Sequence, residues 1–409
     1  MLPRVRGGGN TRASRCISLV AGLGLVLTGA GCRNRRGERE VAADGKRHYL
    51  TYSAAGEVTL PDGEVNIYEA TGALAMSAVA ARAKPLVYVP NSRSASVTVI
   101  DPATHTIVRT FPTGRVPQHV VPSYDLTTLW VLNNEDSMLT PIDPVTGANG
   151  KPIHVDDPYN LYFSPDGSSA IVVAERRQRL DFRDPKTMEL QESLETKCRG
   201  IDHVEFTDDG RYAIATCEFN GSLVKVDLEV RKTVAMLALD DTIGQGGAMP
   251  QDIRSSPSGD VFYVADMKAG GVRLIEPDSL RQIGFIPTGI GTHGLYPSRD
   301  GKLLYVTNRG WNTLRAGSNG PGSISVIDFR TRRVVAQWPI PGGGSPDMGN
   351  VTADGKELWV SARYDREVYV FDTATGQLMH RIPVGKEPHG LCVWPQPGRY
   401  SLGHTGNMR

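Results

Sequence analysis

The stretch Thr292–Asn308, THGLYPSRDGKLLYVTN, holds an apolar run, an Asp-Gly turn and a second apolar run, and this order recurs along the chain of 409 residues. The second apolar run of the copies is centred at Tyr88, Trp130, Val172, Ile214, Tyr263, Tyr305 and Trp359. Successive centres are 42, 42, 42, 49, 42 and 54 residues apart. Each interval has room for four short apolar runs, which predicts one four-stranded blade of a β-propeller per copy.

Three further markers repeat with the same period. The first strand of each copy opens at what we call the key position, occupied by Gln118, Tyr159, Asp202, Gln251, His293, Asp347 and His389. Proline precedes five of these seven residues and suits the first residue of a strand, because it has no N–H to lose from the ladder. The turns read Asp-Gly or similar, which is typical of hairpins. The third strand of each copy ends in an acid: Asp101, Asp143, Asp184, Asp227, Glu276, Asp328 and Asp372.

The run Leu304-Tyr305-Val306-Thr307-Asn308 resembles the signature of YVTN-repeat propellers, the YncE-like family. That family is similar in turn to the propeller domain of cytochrome cd1 and its haem d1 biogenesis relatives. The likeness covers about Lys84 to Trp394 and implies an all-β, seven-bladed propeller of four-stranded antiparallel blades. It leaves function open, because propellers serve as enzymes, carriers and binding modules.

The blade count depends on how the ring closes. If the strand at His389 completes the blade begun by Leu86–Asn91, the ring has seven blades locked by the two ends of the chain. If Leu74–Ala83 supplies its own inner strand, the terminal pieces form an eighth blade. We predict seven, because closure by mixed N- and C-terminal strands removes exposed sheet edges. Residues 47–409 are then one propeller domain.

The N-terminus has the pattern of an export signal. Residues 1–31 carry four arginines, an apolar run from Ile17 and small residues before Cys32. We expect lipidation of Cys32, a flexible tether over residues 32–46 and a membrane-anchored, extracytoplasmic protein; the alternatives are an ordinary signal peptide cut nearby and a short uncleaved anchor. Loss of the leader takes the formal charge from +1 to −3, which leaves no basic footprint for nucleic acid.

The remaining cysteines bear on geometry. Cys198 precedes the first strand of its blade and Cys217 ends the second, so an antiparallel hairpin brings both to one end. A disulfide between them is predicted for an exported protein, the alternative being two reduced thiols. Cys392 lies in an inner strand and is expected to be a small core residue.

The candidate site lies where the first strands begin, at one mouth of the central channel. We expect the residues next to the key positions, His119, Asn160, His203 and Asp252, to join them there. The ends of the second strands should reach the same face: Asn133, Glu175, Asp266, Asn308, Arg309 and Arg363. The predicted cofactor-binding residues are His119, Asp202, His203 and Asp252.

A metal site is predicted at the key positions of three consecutive blades, His293, Asp347 and His389. Two imidazoles and a carboxylate suit a first-row divalent metal, whereas the alternative is that the imidazoles bond backbone groups at the mouth. The cd1-like resemblance implies a haem-type tetrapyrrole as a variant, but the chain has no Cys-x-x-Cys-His motif. A lactonase-like hydrolase would draw metal-binding carboxylates from Glu175, Asp202, Asp252 and Asp347.

Two classes of function follow. The first is a module that binds a protein, glycan or small molecule through the channel funnel and the loops at residues 240–249 and 310–322, with Trp311 and Arg315 as contacts. The alternative is a metal- or tetrapyrrole-dependent enzyme, an oxidoreductase or a lactonase-like hydrolase. The last segment, Gly398–Arg409, is interpreted as a closing strand with a frayed end or as a cap beside His389.

Overall fold

The protein folds as a seven-bladed β-propeller, as the repeat predicted. The computed structural model describes residues 66–73 and 75–409, and in that part of the chain the strands form seven four-stranded antiparallel sheets. Eight blades are therefore excluded for these residues. The leader, Cys32, the tether and residues 47–65 lie outside the described residues. Within the described ranges, no helix is long and apolar enough to cross a membrane.

The strands are short and follow one another with the predicted period. In chain order they are β1 (Leu86–Asn91), β2 (Ser96–Asp101), β3 (Thr106–Pro112), β4 (Pro117–Pro122), β5 (Leu129–Asn133), β6 (Met138–Ile142), β7 (Ile153–His154), β8 (Pro158–Phe163), β9 (Ala170–Ala174), β10 (Arg179–Arg183), β11 (Leu190–Glu195), β12 (Ile201–Phe206), β13 (Tyr212–Cys217), β14 (Ser222–Asp227), β15 (Lys232–Ala238), β16 (Pro250–Ser255), β17 (Phe262–Asp266), β18 (Gly271–Glu276), β19 (Arg281–Pro287), β20 (Thr292–Pro297), β21 (Leu303–Asn308), β22 (Ser323–Asp328), β23 (Arg333–Pro339), β24 (Pro346–Val351), β25 (Glu357–Ala362), β26 (Glu367–Asp372), β27 (Leu378–Pro383) and β28 (Cys392–Trp394). Short 3-10 turns occupy Glu69–Thr71, Ala80–Arg82 and Glu175–Arg177.

In blades 2 to 7 the four strands follow one another outward from the channel in sequence order, whereas blade 1 takes its innermost strand from the end of the chain. Blade 1 is β28-β1-β2-β3, and blades 2 to 7 take the next four strands in turn, from β4–β7 to β24–β27. The inner strands are buried along almost their whole length, whereas the outermost strands are largely exposed. Apolar side chains of neighbouring blades pack face to face between the sheets; Phe182 of blade 3 and Phe206 of blade 4 share one such cluster.

Blade 1 closes the ring with strands from both ends of the domain. The C-terminal strand β28 pairs with β1 in the register Leu86↔Trp394 and Tyr88↔Cys392. Cys392 and Trp394 are buried in the core of this blade. Cys392 is therefore the core residue predicted, and the ring presents no inner edge at the junction.

The hairpin of blade 4 brings its two cysteines together. Cys198 lies just before β12 and Cys217 ends β13, where it pairs with Ile201. Their sulfur atoms are bonded, with Sγ–Sγ 2.00 Å. The link fixes the end of this blade beside the channel mouth.

The final segment does not fray, contrary to the first interpretation of Gly398–Arg409. It turns back into the channel, where the His404 amide donates to the Leu161 carbonyl at 2.8 Å. Glu205 accepts hydrogen bonds from Asn407 and from Arg409, the latter at 2.9 Å. These buried partners compensate the tail for the conformational freedom that it loses. We call residues 398–409 the channel tail.

Candidate functional site: the polar channel and its mouth

The inner strands open with a pairing irregularity that turns side chains toward the channel. In blade 4 the register shifts between Ile201 and Val204, so that Asp202 and His203 have no paired residue in the register of the second strand. The same shift recurs at the start of the inner strands of blades 2, 5, 6 and 7. Bulges of this kind re-aim side chains. They explain why a key-position residue and its successor both reach the channel.

Blades 6, 7 and 1 form a basic cluster at the mouth, consisting of His293, Arg309, Asp347, Arg363 and His389. Asp347 is fully buried and accepts a hydrogen bond from Arg309 Nε at 2.6 Å, and Arg363 Nη1 lies 3.4 Å from its other oxygen. Arg309 Nη2 donates to His293 Nε2 at 2.6 Å. We call these five residues the mouth cluster. Two guanidiniums share the Asp347 carboxylate, so these five residues carry a net positive charge, which Glu387, 4.0 Å from Arg363 Nη2, offsets in part.

The protonation states of the mouth cluster follow from this arrangement. Burial opposes ionisation of Asp347, but Arg309 and the two imidazoles outweigh it and hold the Asp347 pKa well below its usual range. Burial lowers the pKa of His389 to about 4, so its ring is neutral at pH 7. His389 Nδ1 lies 2.7 Å from Asp347 Oδ2, to which it donates when it holds the proton, and 2.8 Å from Arg363 Nη1, from which it accepts when it does not. With the proton on Nδ1 the lone pair is on Nε2, a buried atom without a hydrogen-bond partner among the described residues.

Blades 3 and 4 form an acidic cluster on the other side of the mouth, consisting of Glu175, Asp202 and Glu218. Burial, together with Glu218, raises the pKa of Glu175 to about 7. Burial raises the pKa of Glu218 as well, although Gln251 donates to it at 3.0 Å. The Asp202 pKa is raised well above its usual value by burial and then by the charges of Glu218 and Glu175. These carboxyls hold protons at pH values where surface carboxyls are ionised.

A layer of histidines fills the channel below the mouth. His119, His203 and His404 lie with ring centroids 4.8 to 5.9 Å apart. His119 also lies 4.9 Å from His389 of the mouth cluster. A Cβ on Gly390 would lie 2.0 Å from His119 Cδ2, so the glycine that follows His389 is needed for the rings to pack.

The structure brings the predicted metal-binding and cofactor-binding residues to the channel but separates them into layers. His293, Asp347 and His389 share the mouth, whereas His119, His203 and Asp252 lie in the layer below, with Asp202 in the acidic cluster. Asp347 and Asp252 are each paired with arginine, the latter with Arg254 Nη1 at 3.0 Å. The four carboxylates of the lactonase alternative therefore do not converge on one point.

Three residues that we expected at the mouth point elsewhere. Asn133, Asp266 and Asn308 end their second strands and bond the third strand of their own blade, for example Asn308 Nδ2 to Ser325 at 2.9 Å and Asp266 to Arg273 at 2.7 Å. The residue that follows the second strand faces the mouth instead. It is Glu175, Glu218, Arg309 and Arg363 in blades 3, 4, 6 and 7.

Sequence reasoning missed Glu218 and His404. Glu218 follows the second strand of blade 4 at the position that Arg309 and Arg363 hold in theirs, so the repeat itself carried the signal. His404 enters the channel through the tail, outside the repeat. Neither a period nor a motif points to it.

The loop at residues 310–322 forms part of the rim. Its Thr313 carbonyl accepts a hydrogen bond from Tyr364 at 3.3 Å, and its Asn319 amide donates to Asp365 at 2.6 Å. Trp311 is half-buried and Arg315 is exposed. The loop thus sits beside Arg363, while the loop at 240–249 is attached to blade 5 by the Met249 amide, which donates to Asp266.

Fold and site together define a β-propeller whose channel is rich in histidines and whose mouth carries charged side chains. The sequence profile of the YNCE-like beta-propeller family matches residues 64–398, and the chain belongs to that family. Among curated proteins, it is similar to Protein NirF of Pseudomonas aeruginosa, with 30% identity over 113 residues, 26% of each chain. The matched segment thus spans about a quarter of that relative.

Solved structures share the fold at lower identity. A putative 6-phosphogluconolactonase from Bacteroides uniformis has a TM-score of 0.60 at 19% identity, covering 75% of this chain and 98% of that one. The dihydro-heme d1 dehydrogenase NirN in complex with DHE has a TM-score of 0.55 at 16% identity, covering 76% and 75%. Kuenenia stuttgartiensis hydrazine synthase has a TM-score of 0.55 at 18% identity, covering 67% and 88%.

Proposed function

We propose that the protein is an exported, lipid-anchored propeller that binds a small anionic molecule at the mouth of its channel. The observation that carries the proposal is the sharing of one carboxylate, Asp347, by two guanidiniums, Arg309 and Arg363. Arg363 keeps 17% of its side chain exposed, so it is the group that an incoming anion meets. Because most side chains of the mouth are buried, a small molecule suits it better than a protein or glycan chain.

The acidic cluster supports the same ligand class. A carboxyl whose pKa is raised to about 7 is largely protonated in mildly acidic solution and then donates a hydrogen bond. A bound anion stabilises the protonated form further. Glu175 and Glu218 therefore complement an anion held by Arg363, rather than repel it.

The experiment compares a permanently ionised probe with a neutral one. Ethane-1,2-disulfonate should bind, whereas dimethyl sulfone, which has S=O groups but no charge, should not, as measured by calorimetry at millimolar probe. Arg363→Gln should weaken disulfonate binding by tenfold or more. Arg281→Gln, which alters an exposed arginine on β19, is the matched control and should bind as wild type does. Equal binding of both probes would contradict the proposal.

Export is supported by the leader pattern and by the Cys198–Cys217 disulfide, a bond typical of oxidising compartments. Cys32→Ser should move the protein from the membrane to the soluble extracytoplasmic fraction in a cell fractionation. If this variant stayed in the membrane fraction, the lipid anchor at Cys32 would be wrong.

A second candidate is a tetrapyrrole-binding oxidoreductase. The observation that favours it is the unpartnered Nε2 of His389, which faces the channel beside Arg363 and is the kind of atom that ligates an iron centre. NirN, a neighbour in fold, is described in complex with DHE. The absorption spectrum of haemin should then shift when wild-type protein is added and should not shift when His389→Ala is added. No shift in either would leave anion binding as the function.

A further inference from the structure

We propose that His203, Asp252 and His404 form a binding site for a first-row divalent metal ion in the middle of the channel, below and separate from the anion site. The three residues come from β12, from β16 and from the channel tail, and all are fully buried. The site is thus assembled only when the tail has entered the channel.

The ligand atoms already lie close to one another. One atom from each of the three side chains falls within 4.8 Å of the others. His203 Nδ1 is 3.8 Å and His404 Nε2 is 3.9 Å from Asp252 Oδ1. Nitrogen and oxygen ligands at ~2.1 Å from one ion are themselves roughly 3–4 Å apart, so small side-chain movements suffice.

The site contains a polar atom that is available to a ligand. His404 Nε2 is buried and has no hydrogen bond within the described part of the chain. A buried polar atom of this kind costs free energy relative to one that is bonded. A metal ion bound to His404 Nε2 would satisfy that atom directly.

Asp202 and Asn160 are placed to orient the two imidazoles. Asp202 Oδ1 lies 3.2 Å from His203 Nε2, so when Asp202 is ionised a proton on that nitrogen leaves the lone pair on Nδ1, as in carboxylate–histidine–metal arrangements. Asn160 Nδ2 and Tyr162 Oη lie 3.3 and 3.4 Å from Nδ1, and a metal ion there would replace these contacts. Asn160 Nδ2 lies 3.2 Å from His404 Nδ1. When His404 binds through Nε2 its proton is on Nδ1, and the Asn160 amide must turn so that its oxygen accepts it. Asp202 and Asn160 are positioning residues.

Two buried carboxylates and two arginines surround the site. Arg254 donates to Asp252 Oδ1 at 3.0 Å and opposes a second cation there. The charge of Glu205 acts on Arg254, and Glu205 also pairs with Arg409 at 2.9 Å. Two neutral imidazoles and one carboxylate are ligands that first-row divalent ions such as Fe²⁺, Co²⁺ and Zn²⁺ accept.

The test uses Co²⁺ and Zn²⁺ on the full chain. The oxidised protein is unfolded with chelator, freed of metal and refolded with either ion, so that slow entry into a closed channel does not hide binding. We expect one equivalent of metal by elemental analysis and a visible absorption band with Co²⁺. His404→Gln should lower affinity at least 100-fold, and Asp202→Asn should lower it about 10- to 100-fold.

His389→Gln is the matched control, because it alters a neighbouring channel histidine outside the proposed ligand set. It should bind one equivalent, and circular dichroism checks that each variant is folded. If His404→Gln fails to fold, His203→Gln replaces it. Folded wild-type protein without metal, a folded ligand variant with wild-type affinity, or an equal loss in His389→Gln would overturn the proposal. None of these outcomes depends on whether the mouth binds an anion.

Discussion

At the scale of single residues, Asp347 holds the mouth together. Its two oxygens face two guanidiniums and two imidazoles, and no water-exposed surface remains on the side chain. A buried carboxylate in such a network costs desolvation free energy, and the opposite charges offset it. Removal of its charge therefore destabilises the protein mainly through the buried partners that lose their counter-charge.

Asp347→Asn should lower the free energy of unfolding by about 3–5 kcal/mol, because it leaves Arg309 buried without its counter-charge and Arg363 with only Glu387, at 4.0 Å. The measurement is urea denaturation of wild type and variant. Asp241→Asn, at an exposed loop position, should change stability by less than about 0.5 kcal/mol. Equal effects from the two substitutions would show that the ion network is not buried in solution.

Glu175 predicts a particular dependence of stability on pH. Its pKa is about 7 in the folded protein and 4.5 as the ordinary value, so between these values the folded state holds a proton that the unfolded state has released. Its contribution is favourable below pH 4.5 and is lost as pH rises toward 7. Allowing for solvent screening of a partly exposed group, the loss should be on the order of 1–3 kcal/mol.

Glu175→Gln should remove this part of the pH dependence, as measured by chemical denaturation at intervals from pH 4.5 to 8. The free energy of unfolding of the variant should increase relative to that of wild type as pH rises, and the difference should persist above pH 7. A constant difference between the two proteins across this range would contradict the raised pKa.

At the scale of elements, the repeat predicted the strands well because each copy contains the same local chemistry. Proline before a key position, an Asp-Gly turn and a terminal acid are all short-range features, and the strands begin and end where they indicate. The side-chain directions at Asn133, Asp266 and Asn308 could not be predicted in this way. They depend on partners in the neighbouring strand, such as Ser325 and Arg273, whose register is fixed only in the folded blade.

The channel tail is the element that sequence reasoning could not place. Its sequence lacks the period of the blades, and its partners lie in distant parts of the chain, Leu161 in blade 3 and Glu205 in blade 4. Such long-range pairing is decided by packing in the closed ring. Five histidines meet in the channel. The four that lie in the repeats were predicted, whereas His404, which lies in the tail, was not.

Arg409→Ala should destabilise the protein by about 2 kcal/mol, because it removes a charged donor from the buried carboxylate of Glu205. Thermal and urea unfolding would measure the effect. Arg399→Ala, at an exposed residue of the same tail, serves as the control. Equal stability of the two variants would indicate that the end of the tail is not docked in solution.

At the scale of the whole molecule, blade 1 makes the ring a single closed unit. Strand β28 is short, but it covers the inner edge of β1 and completes the sheet from the other end of the chain. Without it, β1 would expose unpaired backbone groups along the channel, and such edges promote association between chains.

A chain that ends at Pro388, which lacks β28 and the tail, should associate or lose its cooperative unfolding transition. A chain that ends at Pro397 keeps β28 and should remain a folded monomer of reduced stability. Size-exclusion chromatography and thermal unfolding would compare them. If the shorter chain behaved like the longer one, closure through blade 1 would not be needed for the fold.

The proposed function uses the mouth cluster and the acidic cluster for one ligand. The pH dependence of the affinity for the ionised probe tests this proposal most directly. Because an anion at Arg363 favours protonated Glu175, disulfonate affinity in wild type should rise as pH falls from 8 to 6, and Arg363→Gln should weaken binding tenfold or more throughout. An affinity that does not change with pH and survives Arg363→Gln would contradict the account.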